Sequence, residues 1–139
     1  MNKQIEAVQL FHKTFNAPVG VKPQLIKSER FYLRSELMRE ENEEYLEACE
    51  EADLVEVADA LGDMLYILCG TIIEHGMQHK IEEVFNEIHR SNMNKLDENG
   101  KPIFRTDGKI LKGKDYSKPD IKNILAIDET ELVVKKGED

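Results

Sequence analysis

The chain has 139 residues, of which 34% are charged and only 6% aromatic, with no Trp and a net charge of −9. That length suits one domain with one core, and the composition fits a soluble helical protein better than a β-sandwich. The negative balance excludes a general nucleic-acid binder, because gripping a phosphate backbone requires a basic surface.

In chain order, Ile5, Val8 and Phe11 or Phe15 recur at helical spacing and predict a first helix over 3–15. NAPVGVKP (16–23) holds two prolines and a glycine and reads as a loop. A long helix is expected over 28–50 with Ser28 as its N-cap. Asp53 is placed to cap a third helix over about 54–75, which Gly76 would stop. Ile81, Val84, Phe85 and Ile88 mark a fourth helix over about 78–92. Beyond Asn92 the chain becomes rich in Gly, Pro, Asp and Lys. There Thr106-Asp107-Gly108 predicts a small hairpin between Pro102–Arg105 and Lys109–Leu111. ILAI (124–127) is expected as a last short strand or helical turn, and the terminal KKGED as a frayed end. The longest apolar run, Met64 to Ile73, is about half of the roughly 20 residues a bilayer needs, so no membrane span is predicted. The start MNKQIEAVQLFHKTF shows no secretory hydrophobic region, and Cys49 and Cys69 form no CxxC pair. A reduced, cytoplasmic compartment is the expectation.

The charge pattern points to chemistry. Residues 40–63 hold eleven acids, and no Lys or Arg occurs from position 40 to position 79. A run of Glu on a helix is ordinarily a solvated face. Here, however, the apolar stripe begun by Leu33 and Leu37 continues at i, i+3, i+4 onto Glu40, Glu41, Glu44 and then Ala48. Glu36, Glu43 and Glu47 lie to one side and fit the solvated face. In the next helix Leu54, Ala58, Leu61, Leu65, Leu68 and Ile72 form the apolar stripe. Glu56, Asp59 and Asp63 lie opposite, on a side that continues as Tyr66, Gly70 and Ile73. From Met64 to Ile73 that helix is apolar nearly all round, so it is expected to be covered on every side. Inward carboxylates must be paired, protonated or bound to a cation, because burying an isolated ionised carboxylate is costly. A distant Lys or Arg could pair with them. A hard divalent cation is the more economical partner for several clustered acids, and oxygen ligands suit Mg²⁺ or Mn²⁺ better than Zn²⁺. Glu41 and Glu44 stand at i, i+3, as do Glu56 and Asp59, so each pair can approach one ion from its own helix.

The motifs Glu41-Asn-Glu-Glu44 and Glu56-Val-Ala-Asp59, within EENEEYLEA and DLVEVADALGDMLYILCG, resemble the all-α nucleoside triphosphate pyrophosphohydrolase superfamily. Its members include MazG, dimeric dUTPases and phosphoribosyl-ATP pyrophosphohydrolases. HRSNMNKLDENGKPIFRTDGKILKG is similar to a MazG-like subgroup, and the likeness spans roughly residues 5–120. The resemblance implies an all-α bundle of about four helices with a loop-rich C-terminal arm, one domain over 1–139 with its helical body at about 1–92. It further implies a homodimer or dimer of dimers, and Mg²⁺-dependent cleavage between the α and β phosphates of a nucleotide, a role in nucleotide-pool sanitation. By residue, it makes Glu41, Glu44, Glu56 and Asp59 metal ligands, Glu40 a further ligand or the base that orients water, and Asp63 a contact to metal-bound water or nucleotide.

A polyphosphate also needs cations, and the downstream arm has them: from Lys95 to Lys122 there are eight Lys or Arg against five Asp or Glu. Arg90, Lys95 and Lys112 are the candidates to meet phosphate, with Lys109 less favoured. Asn92 is a candidate for hydrogen-bonding phosphate or base, and Tyr116 for stacking or hydrogen-bonding near the base. His75 and His79 are expected at the surface or as caps, Phe11 in the core, and both cysteines as packed thiols. Two other functions compete. One is a phosphoribosyl-ATP pyrophosphohydrolase of histidine synthesis. The other is an acidic helical interaction module that is not an enzyme.

Overall fold

The structure is a computed structural model and describes residues 1–126. Its order is α1 (Asn2–Thr14), α2 (Ser28–Glu50), α3 (Leu54–Glu74), α4 (Ile81–Met93), β1 (Ile103–Phe104), β2 (Ile110–Leu111) and α5 (Ile121–Leu125). This is the expected all-α architecture with a small hairpin after the main helices. The chain forms two compact units, one over Met1–His79 and one from Lys80 onward, so α4 groups with the C-terminal segment. ILAI begins in the short helix α5, while its last residue and KKGED lie outside the described residues.

In the first unit, α1 and α2 both pack on α3. Asp53 caps α3 as its sequence position suggested, its carboxylate accepting from the Glu56 N–H. Ser28 does not cap α2. Lys27 takes the N-cap position, no side chain caps the helix, and Ser28 is already helical. The core contains Ile5 and Val8 of α1, Ala48 of α2, and Ala60, Cys69, Ile72 and Ile73 of α3.

The loop between α1 and α2 is tied to the end of α3. Gly20 N–H donates to the Ile73 carbonyl at 2.8 Å, and Gln24 N–H donates to the His75 carbonyl at 2.9 Å. The Gln24 carbonyl is held by His75 Nδ1, and the Gly20 carbonyl by Gln78. Gly76 sits in the left-handed region at φ 66°, where a side chain is strained. A Cβ there would also lie 2.0 Å from the Lys22 carbonyl oxygen. Gly76→Ala is therefore expected to cost about 2 kcal/mol or more and to lower Tm by roughly 10 °C, as a thermal melt will read. An unchanged Tm would mean the loop does not depend on this close approach.

Two stretches depart from the sequence reading. Of the α3 stripe, Ile72 is buried, but Ala58 is exposed and Leu54, Leu61, Leu65 and Leu68 are exposed by 80%, 50%, 40% and 45%. Helical periodicity shows which residues share a face, but not what covers that face. Phe11 is likewise exposed rather than core. Its ring meets Phe15 at 4.5 Å and Tyr66 edge-on at 5.6 Å.

In the second unit, β1 and β2 pair antiparallel, Ile103 opposite Leu111 and Phe104 opposite Ile110. Asp107 shapes the turn by accepting from Lys109 N–H and binding Arg105, and Gly108 supplies φ 87°. The loop after β2 is stitched to α4. Ser91 Oγ donates to the Ser117 carbonyl at 2.8 Å, and Ser117 N–H donates to Asn94 Oδ1 at 2.7 Å.

Candidate functional site

Helix α2 presents Glu41 toward α3. The Glu41 side chain is half-buried, and its Oε2 is a buried oxygen with no hydrogen-bond partner. Burial, the neighbouring Glu44 carboxyl, and the charges of Asp63 and Asp59 together push the Glu41 carboxyl up to about 6. Three carboxylates from two helices thus act on Glu41, and among the described residues no Lys or Arg forms an ion pair with any of the four. Arg39, the basic residue just before the acidic run, is spent on Glu36 and Glu43, which confirms that side as the solvated one.

The sequence-predicted acids are therefore not all alike. Glu44, Asp59 and Asp63 are the acids whose charges act on Glu41, and all three are exposed. Glu56 is exposed, one turn before Asp59, and is not among the charges acting on Glu41. Glu40 is also exposed. Among the described residues no group of three or more His, Cys, Asp or Glu side chains stands ready to hold a metal ion. In donor chemistry the cluster nonetheless fits a hard cation. It is made of carboxylate oxygens only, and one oxygen is buried without a partner.

The candidate cations belong to the second unit. Arg90 is committed to Glu87, to Ser117 Oγ at 2.9 Å and to the Lys118 carbonyl. Arg90 and the Asp120 N–H in turn hold the Glu87 carboxyl at about 2. Asn92 is exposed, Lys95 is half-buried, and Lys112 Nζ lies 4.8 Å from the centre of the Tyr116 ring. Tyr116 is half-buried, its hydroxyl 3.2 Å from Ser91 Oγ.

Sequence reasoning missed a second charged cluster. Glu74 is 1% exposed and is gripped by Arg30 through Nε at 2.8 Å and Nη2 at 3.0 Å, with Arg34 Nη1 at 3.3 Å. Arg34 also donates to Thr71 Oγ1 and to the Ile67 carbonyl. Burial lowers the Arg34 pKa while Glu74 raises it. The signal available was the single acid at the apolar end of α3, facing two arginines one turn apart on α2. His75 takes the expected capping role at the end of α3. Cys69 is packed as expected, but Cys49 is exposed.

Carboxylate oxygens from two adjacent helices are donors of the kind a hard cation takes. Residues 8–92 match the phosphoribosyl-ATP pyrophosphohydrolase family, and the chain belongs to that family. The family is one of hydrolases that release pyrophosphate. No curated protein matches the chain. A crystal structure from Exiguobacterium sp. 255-15, provisionally described as an NTP pyrophosphohydrolase, is similar at 25% identity with a TM-score of 0.46. The likeness covers 97% of this chain and 96% of that one. Among the described residues, no helix is long and apolar enough to cross a membrane.

Proposed function

We propose that the protein is a Mg²⁺-dependent nucleotide pyrophosphohydrolase, cleaving a (deoxy)nucleoside triphosphate to its monophosphate and pyrophosphate. The observation that carries this reading is the buried, unpartnered Glu41 oxygen, on a carboxyl raised by burial and by the charges of Glu44, Asp63 and Asp59. Glu41, Glu44 and Asp59, with Glu56 turned inward, are the residues that would hold the ion, and Mn²⁺ would substitute. When bound, the ion neutralises phosphate oxygens and lowers the pKa of the attacking water. Asp63 faces the same cluster and would orient that water or the nucleotide. Glu40, exposed on α2, would take the proton as water oxygen bonds to the α phosphorus. The bond from the α phosphorus to the bridging oxygen then breaks, and pyrophosphate leaves.

The polyphosphate also needs cations and hydrogen-bond partners, and Arg90, Asn92, Lys95, Lys112 and Tyr116 are the residues we propose for them. The bare α3 stripe supports a homodimer or a dimer of dimers, since a second copy would cover it. We place the protein in the cytoplasm, acting in nucleotide-pool sanitation. The family match equally favours phosphoribosyl-ATP as the substrate, by the same chemistry.

The test is product analysis with a panel of dNTPs, NTPs, dUTP and phosphoribosyl-ATP plus Mg²⁺, with Glu44→Ala and Asp59→Ala alongside. Pyrophosphate is expected from the wild type and is expected to be lost from both variants. Release of orthophosphate instead, or turnover that survives both changes, would overturn the proposal.

A further inference from the structure

Only one asparagine in the chain precedes a glycine, Asn99 before Gly100, and it lies in the loop that leads from α4 to β1. An asparagine in that position is chemically fragile. The next backbone nitrogen can attack the side-chain carboxamide, and glycine has no Cβ to shield that nitrogen. Asn99 and Gly100 are both exposed, and a Cβ built on Gly100 would meet nothing within 4 Å. Among the described residues the Asn99 carboxamide makes no hydrogen bond. By contrast, Asn94 Oδ1 accepts from the Ser117 N–H, and the Asn123 carboxamide donates to Asp120.

Asp97 holds this loop shut. Its Oδ1 accepts from the Asn99 and Lys101 N–H groups, each at 2.9 Å. The Asp97 N–H donates to the Lys101 carbonyl at 2.7 Å, and the Asp97 carbonyl accepts from the Gly100 N–H at 3.0 Å. That last bond occupies the attacking nitrogen, so reaction waits for the loop to open. Opening an exposed loop tip costs far less than unfolding the protein. The other turn of this kind, Asp107-Gly108, is guarded differently. The Asp107 carboxylate is bound by Arg105 Nε at 2.9 Å and accepts from the Lys109 N–H at 3.1 Å, and these partners hold its pKa below the usual value. An aspartate closes on the next nitrogen only when protonated, since it must release water. Asp107 is therefore protected where Asn99 is not.

We infer that Asn99 is a site of spontaneous modification, converted through a cyclic imide to aspartate and isoaspartate. The Gly100 nitrogen loses its proton and bonds to the side-chain carbonyl carbon of Asn99. The bond from that carbon to the carboxamide nitrogen breaks, the nitrogen takes up a proton, and ammonia leaves. Water then opens the ring. Attack at the side-chain carbonyl leaves aspartate, and attack at the main-chain carbonyl leaves isoaspartate. The step needs only water, so the inference stands apart from the proposed hydrolysis. Either product sets a new carboxylate next in the chain to Asp97 and Glu98, where like charges repel. Isoaspartate also lengthens the main chain within the span that Asp97 clasps.

The experiment is peptide mapping by mass spectrometry of the full chain after days of warming at neutral and at mildly alkaline pH. Isoaspartate is labelled in parallel with protein isoaspartate methyltransferase. The tryptic peptide 96–105 is expected to gain about 1 Da and to carry the label. Conversion should run faster at the higher pH, because the attacking nitrogen must lose its proton. The peptide that holds Asp107 should stay unlabelled. Asp97→Ala should speed conversion roughly three- to tenfold, the worth of the hydrogen bonding it removes. Asn99→Ser should abolish the label. An intact Asn99 in the folded chain, beside conversion in the same peptide cut free, would overturn the inference. So would a label that persists in Asn99→Ser, and an Asp97→Ala chain that converts no faster than wild type would remove Asp97 as the brake.

Discussion

Glu74→Ala is expected to destabilise the first unit by roughly 3–5 kcal/mol, because it strands a buried guanidinium without its counter-charge. The Arg34 side chain is only 10% exposed and that of Glu74 is fully buried, so water cannot replace the lost partner. Arg30, whose side chain is 28% exposed, can turn to solvent. Arg30→Ala should therefore cost distinctly less than Glu74→Ala. The double variant should cost less than the sum of the two, since both changes remove one interaction. Urea unfolding with an unchanged m-value would show this as a lower midpoint, and a melt as a Tm lower by roughly 20 °C. A Glu74→Ala protein as stable as Arg30→Ala would mean that Arg34 does not depend on Glu74.

The second large effect lies at Glu41, and it changes sign with the metal. An ordinary glutamate titrates near 4.5, and Glu41 is pushed up to about 6 in the folded chain. Between those values the folded protein holds more protons than the unfolded one. Stability without metal therefore falls as pH rises through that window, and the loss is complete above about 6. Glu41→Gln cannot ionise, so in EDTA its Tm should exceed that of wild type at neutral pH and should fall less across the window. With Mg²⁺ the order should reverse, since wild type gains stability from a bound ion and the variant gains less. Turnover of the variant should drop at least about 100-fold, in keeping with losing one charge-stabilising group. A variant less stable than wild type in EDTA at neutral pH would remove the argument that Glu41 is an unsatisfied acid.

How much of this could be read from the sequence depends on the range of the interaction. Asp53 and Gly76 act on neighbours within a helical turn, so the bounds of α3 were legible, as was the hairpin from Thr106-Asp107-Gly108. The run of acids on α2 and α3 was legible too, but not how each of them stands to Glu41. Glu56 and Asp59 read as an i, i+3 pair, whereas the charges that act on Glu41 from α3 are those of Asp63 and Asp59, and all three α3 acids are exposed. The Arg30–Glu74–Arg34 cluster joins residues far apart in the chain and leaves no periodic trace. Leu54, Leu61, Leu65 and Leu68 carried the periodicity of a core face, yet within one chain they are bare. A pattern of that kind shows which residues share a face and not what covers it.

The placement of the arginine clasp has a kinetic side. Helices α2 and α3 form a hairpin that turns through Glu51–Asp53, with Ala52 left-handed at φ 55°. Arg30 and Glu74, 44 positions apart in the chain, meet at the end farthest from that turn. Closing a longer loop costs more entropy, so contacts near the turn form before those far from it. Glu41 and Glu44 are then brought against Asp59 and Asp63 before the clasp engages. The chain must bring like charges together early in folding, and the contact that secures the hairpin arrives late. Ions that screen the acids act chiefly on the rate of folding, while the clasp governs how slowly the hairpin reopens.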